Sequence, residues 1–266
     1  MALKDKVAIT AKTTRALCEK PRTTRRVLGR LAEFVRGYSF AENWLAKPVA
    51  EASGSMEPTN PLRQYFDSHQ TGRGIWKWLH YFEIYHRHFS KFIGRDAHLV
   101  EVGIFSGGSL DMWKHYLGPN ARVYGVDIEP ACKKYEDDRT KIFIGDQADR
   151  AFWKRFRDSV PTVDILIDDG GHFPEQQMVT LEEMLPHLSS GGVYVCEDIQ
   201  AIHHGFAAHL FGIADSLNEQ ARELSGVQRD IHSVHLYPYV AVVEKCERPR
   251  RQFSAPRHGT QWEPFL

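Results

Sequence analysis

From His98 onward, short apolar runs and amphipathic segments take turns along the chain, and that alternation limits the fold more than any other feature. His98 to Val102, Arg122 to Val126, Ile142 to Ile144, Val163 to Ile167 and Gly192 to Cys196 read as strands. Between them, Ser109 to Tyr116, Gln147 to Asp158 and Pro174 to Leu188 read as helices. Strands joined by crossover helices pair in parallel through right-handed connections, with helices on both faces of the sheet. A further helical stretch spans Phe206 to Leu224. His232 to Tyr237 and Tyr239 to Glu244 are then separated by Pro238 alone, which leaves an antiparallel hairpin as their one way to pair.

Upstream, Lys4 to Leu45 reads as one or two helices, and Ala46 to Pro61 has the Pro, Ser, Gly and Ala content of a linker. The expected organisation is a helical extension and linker over 1–61, a main domain over 62–246, and a Pro- and Arg-rich tail over 247–266. Ile75 to Phe92 is dense in aromatics and is expected to be a helix packed on the core. The 266 residues, 42% hydrophobic and 26% charged, suit a globular chain with room for one sizeable core and an appendage. The zero net charge conceals a basic start, since Leu3 to Gly37 holds ten Lys or Arg against three acids. A solvated helical face is the expected reading of that stretch, ahead of contact with nucleic acid or a membrane surface. No apolar run approaches the ~18 residues of a membrane span. The four cysteines show no CxxC spacing, and together with the lack of a signal-peptide core this fits a reducing cytoplasm.

In an open parallel sheet, ligands bind outside the carboxyl ends of the strands, so the residues just after each strand carry the chemistry. The first strand runs through Glu101-Val102-Gly103-Ile104-Phe105-Ser106-Gly107-Gly108-Ser109 into a helix. Glycines there let a ligand approach the backbone and expose helix N-terminal N–H groups. The spacing is not the GxGxxG pyrophosphate fingerprint, which favours a ligand with a nucleoside and a smaller polar tail over a dinucleotide. Asp127 ends the second strand, 24 residues after Gly103, where a carboxylate can accept ribose hydroxyls. Asp146 and Gln147 end the third, where an acid or amide can read an adenine amino group.

The fourth and fifth strands end in a different chemistry. Asp168-Asp169-Gly170-Gly171-His172 follows Ile167, and Glu197-Asp198 follows Cys196, with Glu197 28 positions after Asp169. Carboxylates and an imidazole converging at one sheet edge suit a divalent cation with oxygen ligands and a general base beside it. Two plainer readings stand next to this one. In them Asp168 or Asp169 caps the helix starting near Pro174, and Glu197 with Asp198 is a solvated loop pair. Tyr81 is read as stacking over cofactor or acceptor, or else as part of a core stripe.

Over about His98 to Glu244 the chain resembles the class I S-adenosylmethionine-dependent methyltransferases. The Ile-Asp-Asp-Gly-Gly-His run at 167 to 172, the run from Gly191 to Asp198, and His80-Tyr81 followed by Tyr85 to Phe89 resemble one subgroup: metal-dependent macrolide and sugar O-methyltransferases and cephalosporin hydroxylase-like proteins. The resemblance implies an α/β, Rossmann-like, seven-stranded, mostly parallel sheet with a C-terminal antiparallel hairpin, preceded here by the helical extension. It implies that Gly103, Gly107, Asp127 and Asp146 contact S-adenosylmethionine, with Glu101, Ser109, Gln147, Asp168 and Tyr81 grouped beside them. It further implies that Asp169, Glu197 and Asp198 hold Mg²⁺ or Mn²⁺, that His172 is the base, that the acceptor is a small molecule or saccharide, and that the protein is a homo-oligomer. The chain departs from the pattern after Asp198, where Ile199-Gln200-Ala201-Ile202-His203-His204 lacks the histidine and aromatics expected immediately after the acidic pair. A catechol-type O-methyltransferase, a nicotinamide-dependent oxidoreductase and a non-catalytic scaffold are the alternatives.

Overall fold

Alternate residues of each central strand belong to opposite faces of one sheet, and that parity organises the molecule. Leu99, Ile165, Ile167, Val193, Val195, Val240 and Val242 join one apolar cluster. Their neighbours Val100, Leu166, Tyr194, Cys196, Ala241 and Val243 join the other. The computed structural model describes residues 19–44, 60–199, 205–220 and 223–261. The start of the expected helical extension (1–18), most of the expected linker (45–59) and His203 with His204 lie outside the described residues.

The chain divides into two compact units, Met1–Glu57 and Pro58–Leu266. In the first, helices α1 (Pro21–Leu28) and α2 (Leu31–Glu42) are described. Arg25 and Arg26 occupy the last turn of α1, and α2 buries none of its residues. The second unit contains α3 (Pro61–Ser68), α4 (Tyr81–Phe89), β1 (His98–Val102), α5 (Gly108–Leu117), β2 (Arg122–Asp127) and β3 (Thr140–Ile144). It continues through α6 (Arg150–Ser159), β4 (Val163–Asp168), α7 (Pro174–Met184), β5 (Leu188–Cys196), α8 (Gly205–Leu217), α9 (Gly226–Asp230), β6 (Ile231–Tyr237) and β7 (Val240–Lys245). The strand order is β3-β2-β1-β4-β5-β7-β6, with β1 to β5 parallel and β7 antiparallel to both its neighbours. This is the Rossmann-like α/β sheet and terminal hairpin that the alternation demands. The chain order reverses between β1 and β4, so the ligand crevice of such a sheet opens beyond their carboxyl ends.

Helices α3, α4 and α5 cover the first face. Tyr81, Phe82, Ile84, Tyr85, His88 and Phe89 give α4 a buried stripe at helical spacing. The Trp113 ring of α5 meets Tyr85 and Phe89 edge-on, at 5.2 and 6.0 Å between centroids. Asn60 caps α3 by accepting from the N–H groups of Leu62 and Arg63, and its amide donates to the Phe82 carbonyl, which ties α3 to α4. Phe152, Trp153 and Phe156 of α6 cover the second face together with residues of α7 and α8. No helix among the described residues is long and apolar enough to cross a membrane.

Three expected elements differ in extent. The helix expected from Ile75 begins only at Tyr81, and the residues before it run without regular secondary structure. Gly74, Trp76 and Trp78 are exposed while Arg73, Ile75 and Lys77 between them are at least partly covered, a period of two that puts i and i+2 on one face, as a helix does not. The helix expected to reach Leu188 ends at Met184, because Pro186 follows in a short 3-10 turn, and Leu188 already belongs to β5. Within the stretch from Phe206 to Leu224 the described helix ends at Leu217, and Asn218 to Gln220 are not helical.

Candidate active site and metal centre

The loops after β1 to β5 line one cleft of about 1740 Å³. A single small-molecule pocket is typically ~300–1,000 Å³, so this cleft has room for two ligands side by side. Among the described residues, the four non-glycine positions with left-handed backbone are Phe105, His172, Asp198 and Tyr239. All four line this cleft. Such conformations cost roughly 1–3 kcal/mol each and persist where the surroundings impose them.

The strand ends stay in step beyond the regular ladder. The N–H groups of Gly103, Asp169 and Glu197 donate to the carbonyls of Val126, Val102 and Asp168, at 2.8, 3.0 and 2.9 Å. Gly103 has φ +81°, and a Cβ there would lie 2.0 Å from the Asp169 carbonyl oxygen, so only glycine lets the two loops touch.

On the β1–β3 side, Gly103, Ser109, Asp127, Asp146 and Gln147 line the cleft. Asp127 is occupied by backbone: one carboxylate oxygen accepts from Ile104 and Phe105 N–H, the other from Glu129 N–H. It therefore shapes the glycine loop, whatever it offers a ligand. The Gln147 amide is likewise spent, donating to Asp168 and Thr180 and accepting from Gly171 N–H, so it braces the β4 loop instead of reading a base.

Three residues grouped with the cofactor do not line the cleft. Strand parity turns Glu101 towards the α4–α5 face, where it is fully buried and accepts from the Ser109 hydroxyl at 2.7 Å. The same rule turns Asp168 to the opposite face, where it accepts from Gln147 and Tyr194. Burial pushes its carboxyl up, against those two hydrogen bonds. Gly107 lies against the Tyr135 ring. Tyr81 does line the cleft, but its hydroxyl donates to Asp198 at 2.7 Å, which places it in the acidic half. Asp168 and Asp169 are not the caps of α7, whose N-cap is Phe173 without any side-chain cap bond.

The acidic half brings Asp169, His172, Glu197 and Asp198 together. His172 Nε2 lies 3.9 Å from Asp169 Oδ1 and 3.8 Å from Asp198 Oδ2. Its Nδ1 is buried without a hydrogen-bond partner. Asp169, His172 and Asp198 each offer a ligand atom within 4.8 Å of the others. Glu197 stands further in, where parity with Val195 aims it at the α4 face. Its carboxylate accepts from the Tyr85 hydroxyl at 2.6 Å and from the Lys77 ammonium at 3.0 and 3.2 Å.

Lys77 is the residue that sequence reasoning passed over. Its Nζ also bonds Asp169 Oδ2 at 2.5 Å and lies 3.6 Å from Glu101. Burial alone would depress it, but Glu197, Asp169 and Glu101 outweigh that and hold it well above its ordinary value. One ammonium facing three carboxylates leaves negative charge in excess. Burial and the neighbouring Asp169 charge accordingly push the Glu197 carboxyl up, against the pull of Lys77. The excess charge and the unspent oxygens of Asp169 and Asp198 together fit a divalent cation.

A family model described as "Methyltransferase domain" matches residues 100–199. The chain is 32% identical over 196 residues to the 8-demethyl-8-alpha-L-rhamnosyl tetracenomycin-C 2'-O-methyltransferase of Streptomyces olivaceus, covering 64% of this chain and 51% of that protein. It is 32% identical to the mycinamicin VI 2''-O-methyltransferase of Micromonospora griseorubida, covering 63% and 48%. The structure of MycE methyltransferase in complex with Mg, SAH and mycinamycin VI superposes with a TM-score of 0.62 at 28% identity, over 73% of this chain and 55% of that one. The chain spans about half the length of the curated relatives it matches. The matched residues run from Val100 in β1 through β5 and take in the cleft residues from Gly103 to Asp198.

Proposed function

We propose that this protein transfers the methyl group of S-adenosylmethionine to a hydroxyl of a sugar, glycoside or polysaccharide acceptor, with Mg²⁺ or Mn²⁺ held by Asp169, Glu197 and Asp198. One observation carries the reading. At the switch point of a methyltransferase sheet, strained backbone presents unspent carboxylate oxygens and a partnerless imidazole to one cleft. The name of the rhamnosyl tetracenomycin-C 2'-O-methyltransferase supports the acceptor class. A bound divalent cation would lower the pKa of an acceptor hydroxyl, the chemistry a sugar alcohol lacks by itself. An oxygen-preferring ion such as Mg²⁺ leaves the imidazole outside its ligand set. His172 Nε2 then takes the hydroxyl proton as the oxygen–methyl bond forms and the sulfur–methyl bond breaks, releasing the thioether. The imidazolium so formed faces Asp169 and Asp198, which stabilise its charge. Gly103, Ser109, Asp127 and Asp146 bind the S-adenosylmethionine side of the cleft, and holding both partners in line supplies much of the rate.

The test is methyl transfer from labelled S-adenosylmethionine to a panel of glycosides and phenolic diols, in EDTA and after adding Mg²⁺. Transfer to glycosides that EDTA abolishes and Mg²⁺ restores is expected. Full activity in chelator, or transfer to the phenols alone, contradicts the proposal.

A further inference from the structure

Each acidic side chain at the proposed metal centre already gives one oxygen to a protein donor. Asp198 Oδ1 accepts from Tyr81, Glu197 Oε1 from Tyr85 and Asp169 Oδ2 from Lys77. That leaves Asp169 Oδ1 and Asp198 Oδ2 turned towards His172, and Glu197 Oε2 shared with Lys77 at 3.0 Å. Tyr81 and Tyr85 are neutral donors on a helix, held by core packing. Lys77 differs from them. It carries a charge, only 4% of its side chain is exposed, and it touches Asp169, Glu197 and Glu101 at once.

Its position is built by the segment ahead of α4. A Cβ on Gly108 would lie 2.4 and 2.5 Å from the carbonyl oxygens of Arg73 and Gly74, so this glycine lets the segment lie directly on the loop after β1. At the other end, His80 Nε2 bonds the Pro238 carbonyl in the β6–β7 turn at 3.0 Å. Between those anchors the chain has no regular secondary structure as far as Trp78, and the alternating exposure sends Lys77 inward while Trp76 and Trp78 face out. The ammonium is thus fixed in the carboxylate cluster by backbone on both sides.

We propose that Lys77 is a positioning residue: its ammonium holds Asp169 Oδ2 and Glu197 Oε2, so that a divalent cation bound there meets few protein oxygens and keeps open coordination positions for acceptor oxygens. The inference rests on the proposed metal-dependent reading of the site. Two consequences separate it from a merely structural lysine. Removing Lys77 frees Asp169 Oδ2 and Glu197 Oε2 to chelate, while Tyr85 keeps Glu197 Oε1, so the ion gains protein ligands and loses water. It also removes a like charge a few ångströms from the cation, so the ion binds more tightly.

The experiment titrates Mn²⁺ into the full-length protein by electron paramagnetic resonance and counts Mn²⁺-bound waters by solvent proton relaxation, for wild type, Lys77→Met and Lys77→Arg. Lys77→Met is expected to bind Mn²⁺ roughly tenfold or more tightly, as loss of a nearby like charge requires. It should show fewer bound waters and a raised acceptor KM, while Lys77→Arg stays close to wild type. If Lys77→Met does not fold, Lys77→Met combined with Glu101→Gln removes one buried charge of each sign and is expected to give the same readings. Mn²⁺ affinity and water count equal to wild type, or weaker binding, in the folded variant overturns the role of Lys77 alone. Wild-type protein that takes up no Mn²⁺ overturns the functional reading and this inference with it.

Discussion

Two clusters in the Pro58–Leu266 unit each bring histidine and carboxylate ligand atoms within 4.8 Å of one another. One is Asp169, His172 and Asp198, and the other is His88, His235 and Glu244, where α4 meets the hairpin. The second is closed. His88 pairs with Glu244 at 3.2 Å through Nδ1 and with the Tyr237 hydroxyl at 3.0 Å through Nε2. Ser233 bonds both His235 and Glu244, and the Lys91 ammonium lies 3.3 Å from the same carboxylate. The first is open. Its histidine stands 3.8 and 3.9 Å from the carboxylates, retains a partnerless nitrogen, and sits with Asp198 in left-handed backbone facing the cleft. Ligand-type atoms in proximity are therefore not enough to make a site. Unspent valence, imposed strain and access are what separate a binding centre from a structural network, and satisfied polar networks mainly rigidify.

The largest effect expected from this contrast is on turnover. His172→Ala should lower kcat by ~10²–10⁴-fold, the range for loss of a general base, with S-adenosylhomocysteine affinity close to wild type by calorimetry. His88→Ala should leave kcat within a small factor and lower the melting temperature instead. A reversal of that pattern would assign the chemistry to the wrong cluster.

The next effect is on the backbone that holds the open cluster. Gly103→Ala places a methyl group 2.0 Å from the Asp169 carbonyl, at a φ of +81°. Denaturant titration should show a loss of roughly 2–4 kcal/mol, in the range of strained or overpacked positions, together with loss of S-adenosylhomocysteine binding. Wild-type stability in that variant would mean the loops after β1 and β4 are not in contact.

The smallest effect concerns the closed cluster. Hydrogen bonding from His88, against the cost of burial and helped by the Lys91 charge, holds the Glu244 carboxyl down at about 2, from an ordinary 4.5. A carboxyl depressed in the folded state contributes stability that is fully present above its unfolded value and is lost as pH falls through the folded one. Wild type should therefore lose up to about 3 kcal/mol between pH 5 and pH 2 beyond what Glu244→Gln loses, as followed by urea titration at each pH. Parallel pH profiles would show that Glu244 is not held by its neighbours, and Glu244→Gln should leave Mn²⁺ binding unchanged in either case.

Much of the fold is legible in the sequence because a parallel sheet writes period-two apolar runs and amphipathic helices directly into it, and the hairpin follows from Pro238. The two acidic clusters are legible because they come immediately after strands. The faces were a harder inference, though counting parity from Leu99 would have turned Glu101 and Asp168 away from the cleft. Trp76 and Trp78 misled, since aromatic density suggests a helix while their spacing of two signals a non-helical chain with Lys77 turned in. Lys77 itself finds its partners 92 and 120 residues downstream, and no local pattern announces contacts of that range. The same distance hid Tyr81 and Tyr85, read as aromatics, as donors to Asp198 and Glu197.

The most direct test of the central claim, that the open cluster alone is the metal centre, is an anomalous-scattering map from crystals grown with Mn²⁺ and S-adenosylhomocysteine. A single strong peak within bonding distance of Asp169 and Asp198, with none at His88, His235 and Glu244, is the predicted result. A peak at the closed cluster, or none beside Asp169 and Asp198, would contradict it.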